Sequence, residues 1–239
     1  MSFRETALEI IREKIRGAYW IREPLVGFAD VSSAHIRGLR SSAADDHLMP
    51  EDVFPEAEII ISYFLPFTRA AGECNRDGDF PSQLWADLYN RTNALIAEIN
   101  EALVSALEAE GVKAAVPAGG FDTERLLSRW SQRHVAEAAG LGTFGVNNML
   151  ITRAGSMGRF GSVVTALKEK ADLPMTEELC ISKAGGGCLA CVKRCPTGAL
   201  SADGFDRNVC YFVCRKAEEE LGADVYGKCA VCVPCAVWD

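Results

Sequence analysis

The distribution of cysteine constrains this chain more than any other feature of its sequence. Nine of the ten cysteines lie within the last 60 of its 239 residues. The charged N-terminal stretch does not resemble a signal peptide, and no run approaches the roughly 18 apolar residues of a membrane-spanning helix. We therefore expect a cytoplasmic protein without a membrane partner, whose reduced thiols bind metal rather than form disulfides.

The spacing of the cysteines favours iron–sulfur clusters over zinc. Residues 188–196 have the asymmetric form C-x2-C-x3-C-P, whose last cysteine in two-cluster ferredoxins binds the other cluster. Gly185 stands where the usual run would begin, and Cys180 is the available substitute. Structural zinc, the alternative, favours paired C-x2-C knuckles separated by a loop. The spacing thus predicts two [4Fe-4S] clusters.

Eight ligands are required, and we divide the cysteines into two sets. The first set is Cys180, Cys188, Cys191 and Cys235; the second set is Cys195, Cys210, Cys229 and Cys232. Cys214 remains as an alternative to Cys210. The isolated Cys74 is interpreted as a spare thiol.

Hydrophobic periodicity predicts an α/β (α+β) fold in the remainder of the chain. Helices are predicted over residues 2–19, 82–110 and 122–140, and strands over 24–30, 58–65, 112–116, 149–152 and 160–167. We expect a mixed sheet covered by helices in residues 1–172, and a ferredoxin-like iron–sulfur module in residues 173–239.

Two glycine-rich loops are candidate cofactor-binding segments. Gly140, Gly142 and Gly145 follow a predicted helix and precede a strand, which reverses the order of a dinucleotide-binding fingerprint. They still allow the backbone to approach a flat ligand closely, although a helix cap with a tight turn is the alternative. In the second loop, Arg159 is a candidate partner for a phosphate or carboxylate, or for a surface acid.

Taken together, these segments resemble one protein family, the epoxyqueuosine reductases, which are related to the reductive dehalogenases. The motifs that carry the resemblance are FDT (121–123), AGLGTFG (139–145), GRFGS (158–162), CLACVKRCPTGAL (188–200), DRNVC (206–210) and YGKCAVC (226–232). The resemblance implies a base-off cobalamin beside the two clusters, with Asp122 as proton donor. The residues it places around the cobalamin are Gly140, Gly142, Thr143, Gly145, Asn147 and Arg159.

The expected partners follow from charge and from departures from that family. The net charge is −8, whereas nucleic-acid binding depends on lysine and arginine. The family's substrate-enclosing loop is not evident near residues 35–50, and its tRNA-holding helical extension has no counterpart before Asp239. These observations argue against tRNA and for a small-molecule substrate, with a ferredoxin- or flavodoxin-type electron donor.

The leading functional hypothesis is therefore an iron–sulfur reductase that passes electrons to a corrinoid or a substrate in the α/β domain. The alternative is an electron-transfer or accessory protein without corrinoid that serves a partner enzyme. An iron–sulfur sensor is a third hypothesis.

Overall fold

A four-stranded antiparallel sheet forms the centre of the protein. A computed structural model describes residues 2–238. The main sheet has the order β1-β2-β8-β3, and two short hairpins, β4-β5 and β6-β7, lie outside it. The strands are β1 Leu25–Asp30, β2 Ile59–Pro66, β3 Ala114–Ala115, β4 Phe121–Asp122, β5 Leu127–Ser128, β6 Gly142–Phe144, β7 Leu150–Thr152 and β8 Gly158–Thr165.

Nine α-helices surround these strands in the described part of the chain. They are α1 Phe3–Lys14, α2 Ala34–Arg37, α3 Leu39–Ser42, α4 Pro50–Val53, α5 Arg69–Glu73, α6 Gln83–Ala109, α7 Gln132–Ala138, α8 Ala190–Lys193 and α9 Arg207–Leu221. A π-helical turn covers Ser182–Gly186, and a 3-10 turn covers Lys228–Ala230. Among the helices within residues 2–238, none is both long and apolar enough to cross a membrane.

Strand β2 is buried along its whole length, as its continuous apolar sequence predicts. Ile61 and Tyr63 face α1 and α6, whereas Ile60 belongs to the apolar cluster around α7. Tyr63 is fixed to α6 by hydrogen bonds from its hydroxyl to the Ile96 carbonyl oxygen and to Asn100 Oδ1, the latter at 2.8 Å. The sheet therefore has a helical layer on each face.

The predicted mixed sheet is corrected to an antiparallel one. Both neighbours of β2, namely β1 and β8, run antiparallel to it, and β3 runs antiparallel to β8. Alternating strands and helices are typical of parallel sheets, because a helix usually returns the chain to the same edge. Here β8 lies between β2 and β3, so these two strands run in the same direction without being neighbours.

The helix predicted over residues 122–140 is also corrected, because its first half is a hairpin. The Asp122 carboxylate accepts hydrogen bonds from the backbone N–H groups of Glu124 and Arg125, which turns the chain. Leu126 then has a φ of 55°, outside the helical region. The helix begins only at Gln132. Just before it, Trp130 Nε1 donates a hydrogen bond to Ser162 Oγ on β8 at 3.0 Å.

The cysteine-rich segment packs on the sheet through a shared apolar cluster. Trp85 of α6 and Met157 belong to the same buried group as Val225, Val231 and Val237. Ser156 N and Met157 N also donate to the backbone oxygens of Cys235 and Ala236, at 2.8 Å and 3.0 Å. The boundary predicted at residue 172 stays a prediction.

One glycine on β1 tests the contact between the sheet and α7. A Cβ at Gly27 would lie 2.2 Å from the Ala139 carbonyl oxygen, which backbone packing holds in place. We expect Gly27→Ala to lower the free energy of unfolding by about 1–3 kcal/mol, measured by chemical denaturation. Gly204→Ala, where nothing lies within 4 Å, is the matched control. Equal stabilities for the two variants would contradict this packing.

Candidate functional site

A cavity lies between the α7–β7 region and the cysteine-rich segment. We call it the main cavity; its volume is about 420 Å³. One side is formed by Arg133 and His134 of α7 together with Phe144 and Asn147. The opposite side includes Arg207, Cys210, Cys214, Tyr226 and Cys229. Thiols and guanidinium groups therefore border one space.

The first predicted cysteine set is gathered at a second, smaller cavity. Cys180, Cys188, Cys191 and Cys235 all line a space of about 20 Å³ beside β7. Cys235 is held there by the backbone hydrogen bond from Ser156 N, 2.8 Å from the Cys235 carbonyl oxygen. Cys235, which is distant in sequence from the other three, is thus their neighbour, as the assignment to one cluster requires.

The second predicted set is divided in the structure. Cys210 and Cys229 line the main cavity, and Cys195 lies near enough for its charge to act on Cys229. Cys232 is exposed, and its Sγ lies 3.9 Å from Glu73 Oε1 beside a different cavity. Cys214, which spacing had left over, lines the main cavity with Cys210.

The thiols have the chemistry of metal ligands, although no single-ion site is formed. All ten cysteines are free, and within residues 2–238 no three Cys, His, Asp or Glu side chains converge on one ion position. Burial raises the pKa of Cys229 to about 12 and that of Cys235 to about 11. Buried thiols of this kind become thiolates when a metal supplies the compensating charge.

Tyr226 provides a separate indication that the main cavity suits a sulfur-containing anionic group. Its hydroxyl is buried and has no hydrogen-bond partner among the described residues. Burial, followed by the charges of Cys195 and Cys210, raises its pKa. A protonated, unpartnered hydroxyl beside these thiols is a donor without an acceptor, and a cluster sulfur would supply one. The residues present therefore fit an iron–sulfur cluster.

The main cavity is less suited to a whole corrinoid. A volume of about 420 Å³ lies in the range of sites for drug-sized ligands, and a corrinoid with its nucleotide arm is larger. Of the six predicted cofactor-binding residues, only Asn147 lines the cavity. Its Nδ2 donates to the Cys229 carbonyl oxygen at 3.3 Å. In this conformation the cavity would enclose only part of a corrinoid.

Close chain packing explains the glycines and Thr143 without a cofactor. A Cβ at Gly142 would lie 2.1 Å from the Ile151 carbonyl oxygen, and one at Gly145 would lie 2.9 Å from Ile151 Cδ1. Gly140 has a φ of 72° after α7. Thr143 Oγ1 accepts from the Leu179 N–H at 3.1 Å, which anchors the segment leading to Cys180. Cofactor binding by these residues stays a prediction.

Arg159 and Asp122 both lie outside the lining of the main cavity. The Arg159 guanidinium lies 4.1 Å from the centre of the Tyr89 ring. The Asp122 carboxylate is exposed, and the N–H groups of Arg125 and Glu124 lower its pKa, so it is ionised in this conformation. Its neighbour Phe121 packs 5.7 Å, centre to centre, from Tyr211, which follows Cys210. Asp122 as proton donor stays a prediction.

Sequence reasoning missed the positive charge of the main cavity. Arg133 and Arg207 line it, and neither forms an ion pair with a carboxylate of residues 2–238. Desolvation, together with the charges of Arg159 and Arg207, lowers the pKa of Arg133. Such a site attracts anionic ligands. In the sequence these two arginines lie far apart, in α7 and α9, and share no motif.

The fold of this chain is similar to that of solved epoxyqueuosine reductase structures. A crystal structure of one such enzyme with a tRNA-Tyr epoxyqueuosine-modified stem loop has a TM-score of 0.59 at 19% identity, covering 98% of this chain and 66% of that one. The Bacillus subtilis enzyme, with its catalytic aspartate loop swung out of the active site, has a TM-score of 0.58 at 19% identity, with the same coverages of 98% and 66%. These likenesses concern the fold.

Sequence comparison gives the same name, and the predicted resemblance is confirmed. The epoxyqueuosine reductase of Listeria monocytogenes is 28% identical over 212 residues, or 82% of this chain and 52% of the relative. That of Lactococcus garvieae is 29% identical over 180 residues, or 72% of this chain and 47% of the relative. The chain spans about half the length of these curated relatives. No family model matches it.

The expectation that excluded tRNA is wrong. It rested on the net charge of −8 and on missing family segments. A structural neighbour binds a tRNA stem loop, and the main cavity is lined by arginines despite the acidic total. Overall charge does not determine the charge of a local site.

His134 links the main cavity to a measurable pH dependence. Burial and the nearby Arg133 lower its pKa from 6.5 to about 4, so the unfolded chain binds a proton more readily. This contribution to stability is complete above pH 6.5 and is lost as the pH falls towards 4. His47 is shifted in the same direction, chiefly by burial.

We expect His134→Gln to flatten the fall in the free energy of unfolding between pH 6.5 and pH 4, measured by denaturation at several pH values. The exposed His35→Gln is the control and should retain the wild-type slope. A wild-type slope in His134→Gln would contradict a buried, neutral His134.

Proposed function

We propose that this protein is a cytoplasmic iron–sulfur reductase that acts on an epoxyqueuosine-type substrate carried by a tRNA stem loop. The observation that carries the proposal is the main cavity, where cysteine thiols and the guanidinium groups of Arg133 and Arg207 border one space. The names of its relatives support the reductase role. They do not favour an electron-transfer accessory protein.

The cysteines would hold two [4Fe-4S] clusters. Cys180, Cys188, Cys191 and Cys235 would hold one cluster beside β7. Cys195, Cys210 and Cys229 would contribute three ligands to the other, with Cys232 or Cys214 as the fourth. When bound, the clusters supply electrons one at a time, drawn from a ferredoxin- or flavodoxin-type donor.

Two clusters that each pass one electron match the number of electrons that the proposed reduction needs. Reduction of an epoxide, either to an alcohol or to an alkene and water, takes two electrons and two protons. Arg133 and Arg207 would attract the phosphates of the stem loop to the main cavity. His134 is neutral at pH 7 and would not compete with them as a cation.

Asp122 is our candidate for delivering a proton, from the hairpin beside α9. Its carboxylate is ionised and bonded to the chain in the present conformation. Delivery therefore requires the hairpin to shift, which would release these hydrogen bonds and raise the carboxyl pKa. The swung-out aspartate loop of the Bacillus subtilis relative supports a hairpin of this kind that moves.

The decisive experiment measures metal content and turnover together. Protein purified anaerobically should hold about eight irons and eight sulfides. With a strong reductant it should convert an epoxyqueuosine-modified stem loop, followed by nucleoside mass spectrometry with and without added cob(II)alamin. Asp122→Asn should retain its iron and lose turnover.

Other outcomes would contradict the proposal. Protein that contains no iron, or that contains stoichiometric zinc, would contradict the proposed redox function. Full iron content without turnover of the modified stem loop, with or without added corrinoid, would contradict the proposed substrate. A change in the cob(II)alamin spectrum on mixing would leave the proposal in place and show that the protein binds a corrinoid.

Tyr226 gives a prediction about the cluster beside the main cavity. A hydrogen bond from its hydroxyl to a cluster sulfur stabilises the more negative, reduced state. We expect Tyr226→Phe to lower one of the two midpoint potentials by roughly 40–60 mV, equivalent to about 1–1.4 kcal/mol for one electron. Redox titration followed by electron paramagnetic resonance measures the shift. The exposed Tyr19→Phe is the control, and equal potentials in the two variants would exclude the hydrogen bond.

A further inference from the structure

The second cysteine set contains one member that the structure places apart. Cys232 is exposed, and its φ of 55° is the left-handed conformation that only a few non-glycine residues adopt. Its Sγ lies 3.9 Å from Glu73 Oε1, beside a cavity of about 380 Å³ that Cys210 and Cys229 do not line. A carboxylate is an unfavourable neighbour for a thiolate ligand.

Cys214 lines the main cavity, whereas Cys232 does not. It follows Cys210 by one turn of α9, so both thiols lie on the same face of that helix. Both thiols line the main cavity together with Cys229. A helical turn rises 5.4 Å, which separates two thiolates in the way a cluster, wider than a single ion, requires.

Cys195 completes this group from the other side. Its charge acts on both Cys229 and the Tyr226 hydroxyl, so it lies near them. Its Sγ accepts a hydrogen bond from the Leu200 N–H at 3.4 Å, which fixes the thiol after Pro196. Cys195 therefore lies near Tyr226, and Cys210, Cys214 and Cys229 line the same cavity as Tyr226.

We propose that Cys214, rather than Cys232, is the fourth ligand of the cluster beside the main cavity, and that Cys232 remains a free thiol. This inference rests on the proposed function, because it assumes that a cluster binds. It departs from our own assignment by spacing, in which the C-x2-C pair Cys229 and Cys232 bound one cluster together.

Paired variants test the assignment. Cys214→Ala and Cys232→Ala are reconstituted anaerobically beside the wild-type protein, and iron and sulfide are counted. We expect Cys232→Ala to keep the full wild-type content and Cys214→Ala to lose about half of it. Alanine is used because a serine oxygen can itself bind iron.

Chemical labelling gives a second measurement that needs no variant. Native holoprotein is treated with iodoacetamide, and the modified cysteines are mapped by mass spectrometry. We expect Cys232 to be alkylated and Cys214 to be protected until the iron is removed. This result decides the question even if Cys214→Ala fails to fold.

The outcomes separate this inference from the proposed function. Loss of half the iron in Cys232→Ala, retention of all of it in Cys214→Ala, or alkylation of Cys214 in the holoprotein would overturn the inference and leave a two-cluster reductase in place. Wild-type protein that binds no iron would overturn both.

Discussion

The structure depends on a short backbone pairing between the lead-in to β8 and the last cysteine. Ser156 and Met157 donate to the backbone oxygens of Cys235 and Ala236. A Cβ at Gly155 would lie 2.5 Å from the Ala236 carbonyl oxygen, so the two chain segments are in direct backbone contact. This pairing holds a thiol from the end of the chain against the central sheet, and the geometry of the smaller cavity depends on it.

The positive main cavity shows how local charge can oppose the total. The chain carries 33 acidic and 25 basic residues. Most described ion pairs lie on the surface and contribute little to stability. Arg133 and Arg207 face the main cavity without such partners in the described structure, because the acids lie elsewhere. A net charge cannot reveal this separation, and the inference drawn from it about tRNA was wrong.

The sequence predicted the elements in which one periodicity dominates. The buried run of β2 and the apolar stripe of α6 were recognised within about one residue of their ends. The hairpin at Asp122 was missed, because an aspartate that caps a turn and one that begins a helix leave the same local signal. Strand order was missed because the position of β8 depends on contacts that are distant in sequence.

The candidate site was predictable to a similar degree. Spacing placed in one set the four cysteines that line the smaller cavity, because three of them are close in sequence and the fourth follows the cross-over rule; their binding of a cluster stays a prediction. It did not foresee the separation of Cys232, which depends on the backbone conformation at that residue and on Glu73 of α5. The arginines of the main cavity come from different elements and carry no common motif.

The buried Lys228 has a consequence for the order of assembly. Its Nζ donates to the carbonyl oxygens of Asn75 and Asp77, more than 150 positions earlier in the chain, and only 1% of the residue is exposed. A lysine can be buried in this way only after the loop that accepts its hydrogen bonds has formed. The segment bearing Cys229 can therefore reach its final position only when the loop at Asn75 and Asp77 is in place.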